Sequence, residues 1–183
     1  MHWILGFVWK EGQQDAMNRG LDYLLSEQEP SGAWFGRWGS NYIYGTWSVL
    51  ESLRLVHVDT EHSAIQRAVQ WLKSVQRDDG GWGESNDSYL DSQKAGQFFT
   101  STPSQTAWAL LGLMAAGEVH SQEVRSGIDY LVRTQGNDGL WDQPWFNAPG
   151  FPRVFYLKYH GYAKYFPLWA LARFNAMTRK TSA

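Results

Sequence analysis

Gln28-Glu-Pro-Ser-Gly32-Ala-Trp34, Gln76-Arg-Asp-Asp-Gly80-Gly-Trp82 and Gln135-Gly-Asn-Asp-Gly139-Leu-Trp141 write one pattern three times: Gln, three residues, Gly, one residue, Trp. The copies stand 48 and then 59 residues apart, which leaves room in each unit for two helices and their connections. The chain therefore reads as a repeat of helical hairpins.

Working outward, the segments ahead of each motif superimpose as helices: Ala16 to Gln28, Ala64 to Gln76 and Glu123 to Gln135. Their apolar residues recur at steps of three and four (Leu21/Leu24/Leu25, Val69/Leu72/Val75, Ile128/Leu131/Val132) and leave a polar face, as an outer layer requires. The segments after each motif, Ile43 to Val56, Ser104 to Ala116 and Pro167 to Met177, are more apolar and read as an inner layer. Pro167 fits a first helical position and Gly117 a helix stop. Corners such as Asp78-Asp79-Gly80-Gly81 carry turn chemistry, with glycine for positive φ and short carboxylates to accept backbone N–H groups. The expected organisation is a partial preceding helix or disordered start over 1–15, a helical repeat region over 16–178 and a tail over 179–183.

Composition agrees with an all-α chain rich in aromatics: 43% of residues are hydrophobic, and 11 Trp, 9 Tyr and 9 Phe exceed what packing alone needs. A net charge of −2 and a pI near 6.2 give no basic footprint, so nucleic acid is not an expected partner. Zero cysteines exclude disulfides and thiolate metal sites; a reducing cytosol is the default compartment. The longest apolar stretch, Ala107 to Gly117, is too short to span a bilayer, and the start has neither a basic n-region nor a small-residue cleavage site. His57 and His62 are five apart and the other histidines are scattered, so neither a metal site nor a cofactor is expected. Ser104 lacks a partnered His or acid nearby in sequence and reads as part of a helix start.

The Gln/Trp repeats occur together with Trp34-Phe-Gly-Arg-Trp38-Gly-Ser-Asn-Tyr42-Ile-Tyr44-Gly-Thr-Trp47, Asp79-Gly-Gly-Trp-Gly-Glu84, Ser104-Gln-Thr-Ala-Trp108 and Gly150-Phe-Pro-Arg-Val-Phe155-Tyr-Leu-Lys-Tyr159-His-Gly-Tyr162. Five linked segments in this order, from about Leu21 to Phe174, resemble the C-terminal region of the squalene–hopene and oxidosqualene cyclases. The resemblance implies an α/α toroid, of which three hairpins supply about half of an α6/α6 barrel. It also implies an isomerase of triterpenoid (hopanoid) biosynthesis, cyclising squalene or a similar polyene through carbocations. The family's Asp-x-Asp-Asp acid motif lies upstream of the matched region, and no aspartate here falls into that pattern. Asp78 and Asp79 belong to a turn, not to the buried, hydrogen-bonded setting that alkene protonation demands. The expectation is therefore a chain inactive alone. A complementary chain or self-association would cover its open flanks, and the complete enzyme would be cytoplasmic with peripheral membrane contact.

By the same resemblance, Phe151, Phe155, Tyr159 and Tyr162 line the reaction cavity. Phe151 and Phe155 stabilise later-ring cations, while Tyr159 and Tyr162 support that wall. Trp38 falls on a cavity position, and Tyr44 on one beside the initiating acid. The steps of four, four and three fit a helix starting at Pro152, with Phe155, Tyr159 and Tyr162 on one face and Phe151 at its entry. Taken alone, such a stripe is core packing. The Gln/Trp motifs read as fasteners, the amide bonding free backbone groups while Trp covers the corner. Glu84 and Arg37 read as an ion pair or a helix-end bond before cavity groups. A non-catalytic helical module holding an apolar ligand or a partner chain is the alternative reading. A prenyltransferase-like toroid would need a zinc site containing cysteine.

Overall fold

The computed structural model describes residues 13–179. The expected preceding helix or disordered start lies largely outside them, as does most of the tail. Six helices follow in order: α1 Gln13–Ser26, α2 Tyr42–Leu55, α3 Ser63–Ser74, α4 Pro103–Ala115, α5 Gln122–Thr134 and α6 Tyr162–Arg179. The layers match the reading from sequence. Helices α2, α4 and α6 pack side by side, while α3 and α5 lie against them from outside. Every residue of α4 is buried, as its position between α2 and α6 demands, and α3 and α5 bury one face each. The core runs continuously through Ile43, Leu50, Leu53, Leu72, Leu110, Leu113 and Leu131.

The helix ends have local causes. Helix α4 starts at Thr102, whose hydroxyl accepts the Gln105 N–H, with Pro103 at the first helical position. It stops at Gly117, which takes φ +88° so that the Glu118 N–H can reach back to the Leu113 carbonyl at 3.0 Å. His57 fills the corresponding left-handed position after α2 at φ +60°. His62 caps α3, its Nδ1 accepting the Ala64 N–H.

Each Gln/Trp motif is a fastener. The Trp34, Trp82 and Trp141 indoles each donate to a carbonyl ten residues back, those of Leu24, Leu72 and Leu131, in the last turn of the preceding outer helix. Gln28 Nε2 donates to its own corner at Gly32 O and to Ala64 O at the start of α3, both at 2.8 Å. Gln76 does the same with Gly80 O (2.8 Å) and Glu123 O (2.9 Å) in α5. Gly32, Gly80 and Gly139 all have positive φ.

Two sequence expectations are corrected. Residues 152–161 are not helical. Instead β1 (Ala148–Phe151) and β2 (Phe155–Leu157) form an antiparallel hairpin, turning through Arg153 at φ +69°. Proline at 152 would suit a first helical position, but Arg153 takes φ +69°, outside the right-handed helical region, and turns the chain back so that Phe155 pairs with Phe151. The second correction concerns Pro167. Helix α6 begins at Tyr162, where the Gly161 carbonyl accepts from Lys164 and Tyr165, so Pro167 lies inside the helix. Packing of Tyr162 and Phe166 against Trp108 accompanies that extra turn.

Candidate functional site

The inner helices present an aromatic sheet of rings. Trp47 of α2 stacks on Trp108 of α4 (6.4 Å between centroids, 6° between planes), and Phe166 of α6 meets both edge-on at 5.4 and 5.5 Å. Tyr44 contacts Trp108 at 4.9 Å, and Tyr162 contacts it at 5.7 Å. Tyr159 and Tyr165 extend the net from Tyr162 at 5.0 and 5.9 Å. At its edge opens a groove of about 340 Å³ lined by Trp38, Pro149, Tyr159, Tyr162 and Tyr165.

Of the six residues singled out from sequence, Trp38, Tyr159 and Tyr162 thus meet in one groove, and Tyr44 stands behind it through Trp108. Phe151 and Phe155 do not line it. They face each other across the hairpin at 5.6 Å and remain 55% and 45% exposed. The ring of Phe155 lies over Gly150, so that any Cβ at position 150 would push that ring aside. Trp38 is 54% exposed, with the Arg37 guanidinium 5.3 Å from its ring centroid.

The groove offers rings without offering a base. Burial raises the Tyr162 phenol to about 12, with Tyr44, Tyr165 and Tyr159 adding to it. Tyr44 and Tyr165 are raised by burial too, so these phenols stay neutral near pH 7. Glu84 is a fully buried carboxyl, and it is committed elsewhere: it accepts the Asn41, Tyr42 and Ile43 N–H groups at 3.1, 3.1 and 2.9 Å, capping α2. Burial raises its pKa while the three N–H groups work in the opposite direction. Its helix-end role agrees with the sequence reading; Arg37 instead covers Trp38.

Sequence reasoning missed Tyr165, Phe166 and Trp169, although steps of three, four and seven from Tyr162 mark them; placing the helix start at Pro167 hid the stripe. It also missed a buried polar scaffold. Gln105 of α4 donates to Ser40 O and Glu84 O and accepts the Glu84 N–H. Gln143 holds the start of α4 through Ser104 N and Oγ, and Ser40 N donates to Asn147 O at 2.9 Å. Ser40, Glu84, Gln143 and Asn147 sit in irregular segments that carry no periodic signal, and Ser104 and Gln105 occupy the first turn of α4. Among the described residues no three His, Cys, Asp or Glu side chains converge on a metal position, and no helix is long and apolar enough to cross a membrane.

Comparison with known proteins places this architecture. The sequence profile of the squalene-hopene cyclase C-terminal domain matches residues 2–176. The chain is 56% identical over 163 residues to a squalene–hopene cyclase of Zymomonas mobilis, covering 89% of this chain and 25% of that protein. It is 49% identical over 167 residues to one from Alicyclobacillus acidocaldarius, covering 90% and 26%. A dammaradiene synthase of Dryopteris crassirhizoma is 49% identical over 174 residues, covering 88% and 25%. The chain thus spans about a quarter of the length of the curated relatives it matches. Among solved structures, a protein from Actinoplanes shares the fold with a TM-score of 0.55 at 24% identity, over 72% of this chain and 36% of that one.

Proposed function

Because the chain belongs to the squalene-hopene cyclase C-terminal domain family, we propose that it supplies the cation-guiding wall of a class II triterpene cyclase acting on squalene or a similar polyene. The observation that carries this reading is the groove of Trp38, Tyr159 and Tyr162 backed by Tyr44 and Trp108. In such a cyclisation a proton adds to a terminal alkene, the cation advances as each ring closes, and loss of a proton or capture of water ends the sequence. A base beside the cation would end it early. Neutral rings attract a cation through their quadrupoles by about 0.5 to 2 kcal/mol without a lone pair basic enough to deprotonate it. The raised phenols of Tyr44, Tyr162 and Tyr165 suit that task.

Starting the reaction falls to a carboxylic acid outside these residues, since Glu84 is held by three backbone N–H groups. The isolated chain is accordingly inactive and works when a complementary portion supplies the acid. Its exposed aromatic face and its open corner at Gln135 favour association, with that portion or with itself. The complete enzyme is a cytoplasmic protein resting peripherally on a membrane, where its apolar substrate resides.

A titration followed by tryptophan fluorescence tests the wall directly. Dimethylfarnesylammonium, a cation of isoprenoid length, is expected to bind about two- to thirtyfold more tightly than uncharged farnesol. Trp38→Ala should reduce that preference. Equal affinity for the two ligands, or a preference indifferent to Trp38, overturns the reading. A non-catalytic apolar-ligand module would bind both ligands alike.

A further inference from the structure

The 3₁₀ turn Asn86–Tyr89 lines no part of the groove, yet it is bonded to the segments on both sides of it. Tyr89 is 1% exposed. Its hydroxyl lies 2.7 Å from the Gly36 carbonyl and 2.8 Å from the Gly39 carbonyl, with its proton shared between them. Those two carbonyls bracket Trp38. Phe35 packs edge-on against the Tyr89 ring at 5.5 Å, and the Ser40 hydroxyl donates to Asn86 Oδ1, so the Trp38 loop is held before, across and after the exposed ring.

The opposite side of the same turn holds the hairpin. Arg153 Nε, at the hairpin tip, donates to the Tyr89 carbonyl. Tyr156 of β2 lies 6.0 Å from the Tyr89 ring, and Asn86 Nδ2 donates to Phe146 O at 2.8 Å, two residues before β1. Pro149 of β1 faces Trp38 in the groove lining, and Phe151 and Phe155 follow on the same hairpin. Trp38 itself is half exposed and its ring meets the Arg37 guanidinium, itself exposed, so the place of the ring depends on its backbone. Gly36 and Gly39 on either side give that backbone more conformational freedom than any other residue would, which raises the need for an external anchor.

We propose that Tyr89 is a positioning residue for the cation-guiding wall: its hydroxyl and carbonyl fix the Trp38 loop against the Phe151/Phe155 hairpin, setting the width of the groove and the ring orientation that a carbocation meets. This rests on the wall reading for its functional meaning, but the mechanical coupling stands on its own geometry. Tyr89→Phe keeps the ring packed against Phe35 and Tyr156 and removes only the hydroxyl bridge.

The test uses this chain labelled with 5-fluorotryptophan, with the Trp38 fluorine resonance identified by its loss in Trp38→Phe. In Tyr89→Phe the Trp38 resonance is expected to shift or broaden while those of the corner residues Trp34, Trp82 and Trp141 stay in place. The affinity for dimethylfarnesylammonium is expected to fall about fivefold. A folded Tyr89→Phe chain with the Trp38 resonance and the affinity both unchanged overturns the proposal. Should that variant not fold, Asn86→Ala releases the same turn from Ser40 and Phe146 and must move the Trp38 resonance likewise; no movement overturns the proposal. If the unsubstituted chain does not bind the ammonium ion, the wall reading fails, and the Trp38 resonance alone decides the coupling: displaced in Tyr89→Phe it is upheld, unmoved it is lost.

Discussion

Three glycines in equivalent corners differ in what stands beside them, and that difference is measurable. Gly32 and Gly80 need positive φ and also sit where a Cβ would come within 2.6 Å of the Arg67 carbonyl and 2.5 Å of the Ser126 carbonyl. Gly139 has the same backbone sign, but a Cβ there meets nothing closer than 4.0 Å. Alanine at Gly139 should therefore cost only the left-handed conformation, about 1 kcal/mol. Alanine at Gly32 or Gly80 should cost at least about 1 kcal/mol more, because two rigid backbones must separate. Denaturant midpoints of the three variants measure this, and equal losses would show that the corners are not fastened to the next helix. The glutamines tell the same story: Gln28 and Gln76 each reach the next outer helix, whereas Gln135 bonds only Gly139 within its own corner among the described residues.

Between elements, Glu51 of α2 is clamped by Arg54 and by Arg173 of α6 at 2.7 and 2.8 Å. Burial on its own would raise this carboxyl, but the two guanidiniums outweigh it and hold its pKa below 4.5. A depressed carboxylate contributes stability that is present above its unfolded pKa and lost as pH falls through the folded one. Arg173→Ala should then cost roughly 1 kcal/mol near pH 7, with the deficit shrinking as pH drops below 4.5. Urea unfolding of both proteins at pH 7 and near pH 3 checks it; a deficit that does not shrink would mean that Arg173 acts through packing of its stem alone. Glu84 has the opposite sign, since burial raises it: its contribution is fully present at low pH and is lost as pH rises through its raised folded value. The helices and fasteners were legible because apolar periodicity and the Gln/Gly/Trp spacing are local signals. The hairpin was not, because Phe155, Tyr159 and Tyr162 happen to recur at helical steps, Pro152 suits a helix start as well as a turn, and the left-handed backbone of Arg153 that reverses the chain has no local sequence signal. Of the residues singled out from the sequence, Trp38, Tyr159 and Tyr162 line one groove, while Phe151 and Phe155 lie outside it. Tyr89, Asn86 and Gln105 stayed hidden because their partners lie 21 to 65 residues away in irregular chain.

At the scale of the molecule, three hairpins form a continuous core yet leave two kinds of surface unfilled. One is the aromatic face around Trp38, Tyr159, Tyr165 and Trp169, each between 44% and 54% exposed. The other is the third corner, where no described helix start meets Gln135. The chain matches about a quarter of the length of its relatives. The central claim is that the chain carries the wall of a polyene cyclase and not its acid, and chromatography of squalene products separates the two. The isolated chain should form no cyclised product. The same chain joined to the preceding three quarters of a relative, which brings the Asp-x-Asp-Asp motif, should cyclise squalene. In that joined protein Trp38→Ala, which removes a ring that lines the groove, should raise incompletely cyclised products by roughly five- to thirtyfold, the effect of losing about 1 to 2 kcal/mol of cation stabilisation. Cyclised product from the isolated chain, or a folded joined protein that leaves squalene untouched, would contradict the account.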